Sequence, residues 1–149
     1  MISKIKNVAI LVLGDIMLDQ FIYGSAERIS PEGPVPVLKI TQKTDMLGGA
    51  GNVLSNLSGL QAGCRLIAVI GDDDSGERVR TIVRDMGYDD DGLIIDSDRP
   101  TTIKSRFIAN NQQLLRTDSE KTIAISDKIQ EKILKKIDAF LPDVQAVIL

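Results

Sequence analysis

The stretch Leu47-Gly48-Gly49-Ala50-Gly51-Asn52-Val53 holds three glycines in four positions. That density costs too much conformational entropy for a helix or strand interior. Val53, Leu54, Leu57 and Leu60 follow at helical spacing, so the reading is a tight turn feeding a helix N-terminus. Such a turn lets a ligand approach the backbone, and the free N–H groups of a first helical turn favour oxygen-rich or anionic ligands. The same turn also lets a helix pack closely on a sheet, and spacing alone leaves both readings open. It is not a dinucleotide fingerprint, because Leu54 stands where the third glycine of G-x-G-x-x-G belongs when counted from Gly49. It is not a P-loop either, since no Gly-Lys-Ser/Thr follows.

Two other groups of residues could do chemistry. Asn7 to Leu13 is a continuous apolar run closed by Gly14-Asp15-Ile16-Met17-Leu18-Asp19. A run apolar on both faces suits a buried parallel strand, and ligands of open α/β sheets sit at the carboxyl ends of such strands. Asp15 and Asp19 are thus candidate hydroxyl binders, with Asp15 the better suited of the two to capping the turn. Further on, Asn110-Asn111 reads as the loop of a hairpin, because paired asparagines tolerate positive φ. Ala109 then pairs with Gln112. Lys104, Arg106, Gln113 and Leu115 fall on one face, with Phe107, Leu114 and Arg116 on the other. A face with Lys104 and Arg106 could hold a phosphate, or be an ordinary solvated face.

Composition narrows the chemistry. The chain has 149 residues, 43% hydrophobic and 26% charged, with net charge −3, which suits one globular domain with a real core. The absence of a basic block makes nucleic acid a poor partner. No apolar run approaches membrane-spanning length, and Met1 to Lys6 lead straight into a strand-like run without a signal-peptide pattern. There is no histidine and one cysteine, Cys64. That excludes Ser-His-Asp and Cys-His catalysis and an internal disulfide, and it fits a cytoplasmic protein. Proton transfer would fall to carboxylates, lysine or tyrosine. Cys64 reads as a small packed residue.

The remaining elements follow from pattern. Residues 20–46 break the α/β rhythm. Pro31, Pro34 and Pro36 suit a loop or edge, and Val35 to Thr41 alternates as an edge strand or flap. A helix runs from about Asn52 to Leu60 and ends near Gly63. Arg65 to Ile70 is a second buried-type strand. Asp72-Asp73-Asp74 looks like a metal cluster, but Asp74 as N-cap with Glu77 three residues later is the better account. That helix shows Val79, Ile82, Val83 and Met86, with Gly87 ending it. Asp89-Asp90-Asp91 reads as solvated loop, and Gly92 to Ile95 as a short strand. Ser126 caps a helix with Ile129, Ile133, Ile137 and Leu141 on one face, stopped by Pro142. Gln145 to Leu149 is another apolar strand. The loop after it would belong to a strand-end site, so the chain is expected to be part of a longer protein.

These residues together resemble the ribokinase-like (PfkB) carbohydrate kinases. The strand with Gly14 to Asp19, then Gly48-Gly49-Ala50-Gly51-Asn52, then Gly71 before an acidic loop follow the first half of that family in order and spacing. Within it the similarity is to the D-glycero-β-D-manno-heptose 7-phosphate kinases. Arg28-Ile29-Ser30-Pro31-Glu32-Gly33-Pro34-Val35-Pro36-Val37 and Asn111 to Arg116 carry that narrower match. The resemblance implies an α/β, Rossmann-like ribokinase fold with a small β-sheet lid, truncated here. Residues 1–149 would be the N-terminal part of the kinase domain, with lid segments at about 20–46 and 101–118. It implies that Asp19 binds sugar hydroxyls, that Gly48 and Gly49 admit the sugar to the backbone, and that Asn52 contacts it. Lys104, Arg106 and Gln113 would suit the 7-phosphate.

The resemblance also implies a homodimer through the lid, a sugar phosphate substrate, and ATP with Mg²⁺ for the complete enzyme. The family's later Gly-Ala-Gly-Asp signature, which supplies the anion hole and catalytic base, is absent from this chain. No catalytic, nucleotide-binding or metal-binding residue is therefore assigned, and no cofactor is expected to bind this chain alone. Leu54 stands where the family usually has a small residue, and Gln61 where it usually has glycine. Two alternatives stay open: another sugar or nucleoside kinase of the family, and a non-catalytic sugar-binding or dimerisation module.

Overall fold

The computed structural model of the chain describes Lys6 and residues 8–149. The first strand, β1, spans Ala9–Leu13; Asn7, its expected first residue, lies outside the described residues, as do Met1 to Ile5. Then come β2 Ile16–Ile29, β3 Pro36–Gly49, α1 Ala50–Gly59, β4 Gly63–Ile70, α2 Asp74–Asp85 and β5 Leu93–Ile95. The chain continues through β6 Ile103–Ala109, β7 Gln112–Ser119, α3 Asp127–Phe140, a 3₁₀ turn Leu141–Asp143 and β8 Ala146–Ile148.

Two four-stranded sheets result. The first is parallel, in the order β5-β4-β1-β8. Its apolar runs are continuous because both faces are covered. Val12, Leu66, Ala68 and Ile70 pack with Leu54 and Leu57 of α1 and Val79 and Val83 of α2. The alternate residues Leu11 and Ile67 pack with Ile129 and Phe140 of α3. Phe140, rather than the expected Leu141, fills the last core position of that helix; Leu141 is exposed. Burial pushes the Cys64 thiol up to about 11, in keeping with a packed rather than a nucleophilic residue.

The second sheet has the order β3-β2-β6-β7. Val35 to Thr41 leads into and largely falls in an edge strand, β3, as expected, but residues 20–46 hold more than that strand. They form most of a long antiparallel pair, β2 on β3, reaching Ile16↔Gly49 at one end and Ile29↔Pro36 at the other. The glycine stretch is correspondingly not a free turn. Gly48 and Gly49 are the last residues of β3, and Gly51 lies inside the first turn of α1. Leu18 and Leu47 turn one face of this sheet into the first core cluster, and Arg78 of α2 reaches Asp45 of β3 at 3.2 Å.

Local chemistry corrects three further expectations. Asp73, not Asp74, caps α2, accepting from Gly76 N at 2.7 Å, and its other oxygen accepts from Thr101 N at 2.8 Å. Asp89 and Asp91 are exposed loop residues as expected, but Asp90 is half-buried. Arg65 pairs with Asp89, Arg80 and Arg84 with Asp90, and Lys136 with Asp91. The third concerns the hairpin. Asn110 and Asn111 do adopt φ of 50° and 64°, and Ala109 does pair with Gln112. A register shift then intervenes between Phe107 and Ile108, so Ile108 opposes Gln113 while Phe107 opposes Leu115 and Arg106 opposes Arg116. The irregularity at Leu114 inverts the expected faces. Arg116 joins Lys104, Arg106 and Gln113, and Leu115 joins Phe107.

Candidate functional site

The second sheet presents one polar face, built by register. Met46, Asp19, Lys104 and Asp118 form one cross-strand row, and Thr44, Phe21, Arg106 and Arg116 form the next. Gln42, Tyr23, Ile108 and Gln113 make a third. Gly48 lies opposite Met17, one step below Asp19 on the same face. Period-two alternation thus assembles acid, base and glycine from four strands.

Asp19 and Arg106 meet. Arg106 Nη1 donates to Asp19 Oδ1 at 2.6 Å, with about a fifth of each side chain exposed (22% and 20%). The guanidinium lies 5.1 Å from the centroid of the Phe21 ring, a cation–π seat that holds it in place. Gly48 makes room for the carboxylate: a Cβ there would stand 2.5 Å from Asp19 Oδ2 and 2.6 Å from Met17 Cγ. Gly49 answers a different need. Its φ is +59°, and a Cβ would run into the backbone carbonyl of Asp15. That carbonyl accepts from Ala50 N at 2.8 Å, so Asp15 contributes backbone at the start of α1.

The other expected residues are placed less closely. Asn52 is exposed in the first turn of α1, its carbonyl accepting from Asn56 Nδ2. Lys104 stands beside Asp19 in register but bonds to β7 and the segment after it, 3.1 Å from Asp118 and 3.2 Å from Glu120. Hydrogen bonds to those two carboxylates raise its pKa. Gln113 is exposed at the far row. Arg116 is the residue that sequence reasoning put on the wrong face. It forks onto Asp118 through Nε at 2.8 Å and Nη2 at 2.7 Å, holding that carboxyl well below the usual range.

A cleft of about 430 Å³ opens where the two sheets meet, lined by Gly14, Asp15, Met17, Thr102, Glu120 and Lys121 among others. It lies at the carboxyl ends of β1 and β4, the position where open α/β sheets take ligands. Met17 and Glu120 connect it to the Asp19–Arg106 face. Among the described residues, no group of three or more His, Cys, Asp or Glu side chains stands together to hold a metal ion. Among them too, no helix is long and apolar enough to cross a membrane.

The family model described as "pfkB family carbohydrate kinase" matches residues 9–143. The Bifunctional protein HldE of Paramagnetospirillum magneticum is 43% identical over 148 residues, 99% of this chain and 30% of that protein. The Bifunctional protein HldE of Helicobacter pylori is 41% identical over 140 residues, 94% of this chain and 30% of its own length. The chain therefore spans about 30% of the length of these relatives. Among solved structures, a carbohydrate kinase from Agrobacterium tumefaciens superposes with TM-score 0.69 at 22% identity, covering 94% of this chain and 44% of that one. Ribokinase from Cryptococcus neoformans in complex with ADP gives 0.53 at 19% identity, covering 93% and 48%. The two sheets are a ribokinase-like α/β fold, and the chain belongs to the pfkB family of carbohydrate kinases.

Proposed function

We propose that this chain is the sugar-recognising portion of an ATP-dependent kinase that phosphorylates the anomeric hydroxyl of a heptose 7-phosphate. The product would be the heptose 1,7-bisphosphate, on the way to ADP-heptose for the lipopolysaccharide core. The observation that carries the reading is the 2.6 Å pairing of Asp19 with Arg106 above Gly48. It sets a hydroxyl-accepting carboxylate and a phosphate-binding guanidinium side by side. The 41–43% identity to the HldE proteins supports the narrower substrate.

In this reading Asp19 accepts hydrogen bonds from sugar hydroxyls, Gly48 and Gly49 keep side chains out of the sugar's way, and Asn52 adds an amide contact. Arg106 takes the 7-phosphate in a forked pair, with Gln113 beyond it. Lys104, already shared by two carboxylates, holds β7 in place and completes the positive side. The Gly-Ala-Gly-Asp signature is not in this sequence. The chain's contribution is binding and orientation, and by itself it turns over no ATP. The second sheet serves as the lid of a cytoplasmic homodimer, with exposed Tyr23, Ile29, Val35 and Ile40 on its long strand pair and the turn joining it.

The test is calorimetric titration of this chain with D-glycero-D-manno-heptose 7-phosphate, with ribose, fructose 6-phosphate and ATP alongside. Selective binding of the heptose phosphate is expected. Preference for ribose or fructose 6-phosphate would move the assignment to another kinase of the family, and preference for ATP would overturn the recognition role.

A further inference from the structure

We infer that the Asp19–Arg106 ion pair is a specificity latch that opens only for a ligand bringing both hydroxyls and an anion. The inference rests on the sugar-phosphate reading above for its ligand, but its physics lies in the pair itself. A neutral sugar whose hydroxyls take Asp19 Oδ1 competes with Arg106 for the one oxygen through which the pair is made. The Arg106 side chain, about a fifth exposed, then loses its counter-charge, which is costly for a half-buried cation.

The neighbours cannot compensate. Asp118 and Glu120 are engaged by Lys104 and Arg116. Arg116 stands directly opposite Arg106, so withdrawing Asp19 leaves two guanidinium groups facing each other across the strand pair. Charges on this face balance at present: Lys104, Arg106 and Arg116 against Asp19, Asp118 and Glu120. A phosphate restores that balance at the position Asp19 gives up. Arg106 is prepared for the exchange, since it uses one N–H group on Asp19 and is seated on Phe21. Among the described residues no second acceptor takes its remaining donors.

The latch predicts opposite effects from its two ends. Asp19→Asn frees Arg106, so inorganic phosphate should bind this variant more than about tenfold tighter than the native chain. Arg106→Gln removes the charge that a neutral sugar must strand. In calorimetry it should weaken heptose 7-phosphate while tightening unphosphorylated heptose, collapsing the native preference. Arg106→Lys keeps the charge and should keep part of that preference, with circular dichroism checking that each variant is folded. If native chain and Asp19→Asn bind inorganic phosphate equally, the latch is wrong whatever the sugar. If Arg106→Gln weakens both heptoses in equal measure, the latch is wrong while the heptose phosphate reading stands. If phosphate binding rises in Asp19→Asn but no heptose binds the native chain, the latch stands and the sugar assignment fails.

Discussion

A methyl group added at position 48 should do something different from one added at position 49. At Gly48 the backbone is ordinary strand, and the new Cβ would meet the Asp19 carboxylate and the Met17 side chain, both able to swing away. Gly48→Ala should therefore leave the thermal midpoint within a few degrees while weakening heptose 7-phosphate by roughly tenfold or more, as calorimetry would show. At Gly49 the backbone itself is special, with φ +59° and the Asp15 carbonyl directly in the way. Gly49→Ala should cost about 1–3 kcal/mol of folding stability, read from urea denaturation. A binding loss without a stability loss at position 49 would contradict this division. The two glycines were legible as a pair needing open space. Their separate reasons were not, because one depends on a side chain 29 positions away in sequence and the other on a carbonyl.

At the scale of elements, what could be read was set by how strongly burial patterned the sequence. Strands β1 and β4 showed as unbroken apolar runs because helices cover both faces, and α3 showed through Ser126, whose hydroxyl accepts from Ile129 N. The long pair β2 and β3 showed only in part. One face of it is the polar site, and its far end is exposed at Glu27, Arg28, Lys39 and Ile40, so alternation marks only Val35 to Thr41. No glycine flags the irregularity at Leu114. Gln61 hides a helix end: with φ +58° it donates to Ser58 O while Ala62 N donates to Leu57 O, a Schellman closure usually given to glycine.

The cap of α2 offers a test at this scale. Burial works against ionisation of Asp73, but hydrogen bonds from Thr101 N and Gly76 N, with further ones from the Thr101 hydroxyl and Ser75 N, outweigh it and lower its pKa. A carboxyl depressed in the folded state adds stability above its unfolded value of about 3.9, and that stability is lost as pH falls through the folded value. Asp73→Ala should cost about 1–2 kcal/mol at pH 7, with the gap to the native chain narrowing towards pH 2 in urea denaturation. A gap that widens on acidification would contradict the assignment.

The whole molecule is two sheets meeting at a seam, one parallel sheet that supplies the core and one mixed sheet that carries charge on its free face. Its net charge of −3 does not draw anions by itself, so a phosphate must be won by the local arrangement around Arg106. The groove between α2 and α3, bordered by Arg80, Lys132, Lys135 and Lys136, is another positively bordered site where an anion could settle. Backbone amide chemical shifts followed during titration with D-glycero-D-manno-heptose 7-phosphate separate the two directly. The account predicts perturbations concentrated at residues 14–19, 47–52, 104–106 and 113–116, with the β5 and α3 signals unmoved. Perturbations confined to residues 93–95 and 132–139, or the same pattern evoked by ATP alone, would contradict it.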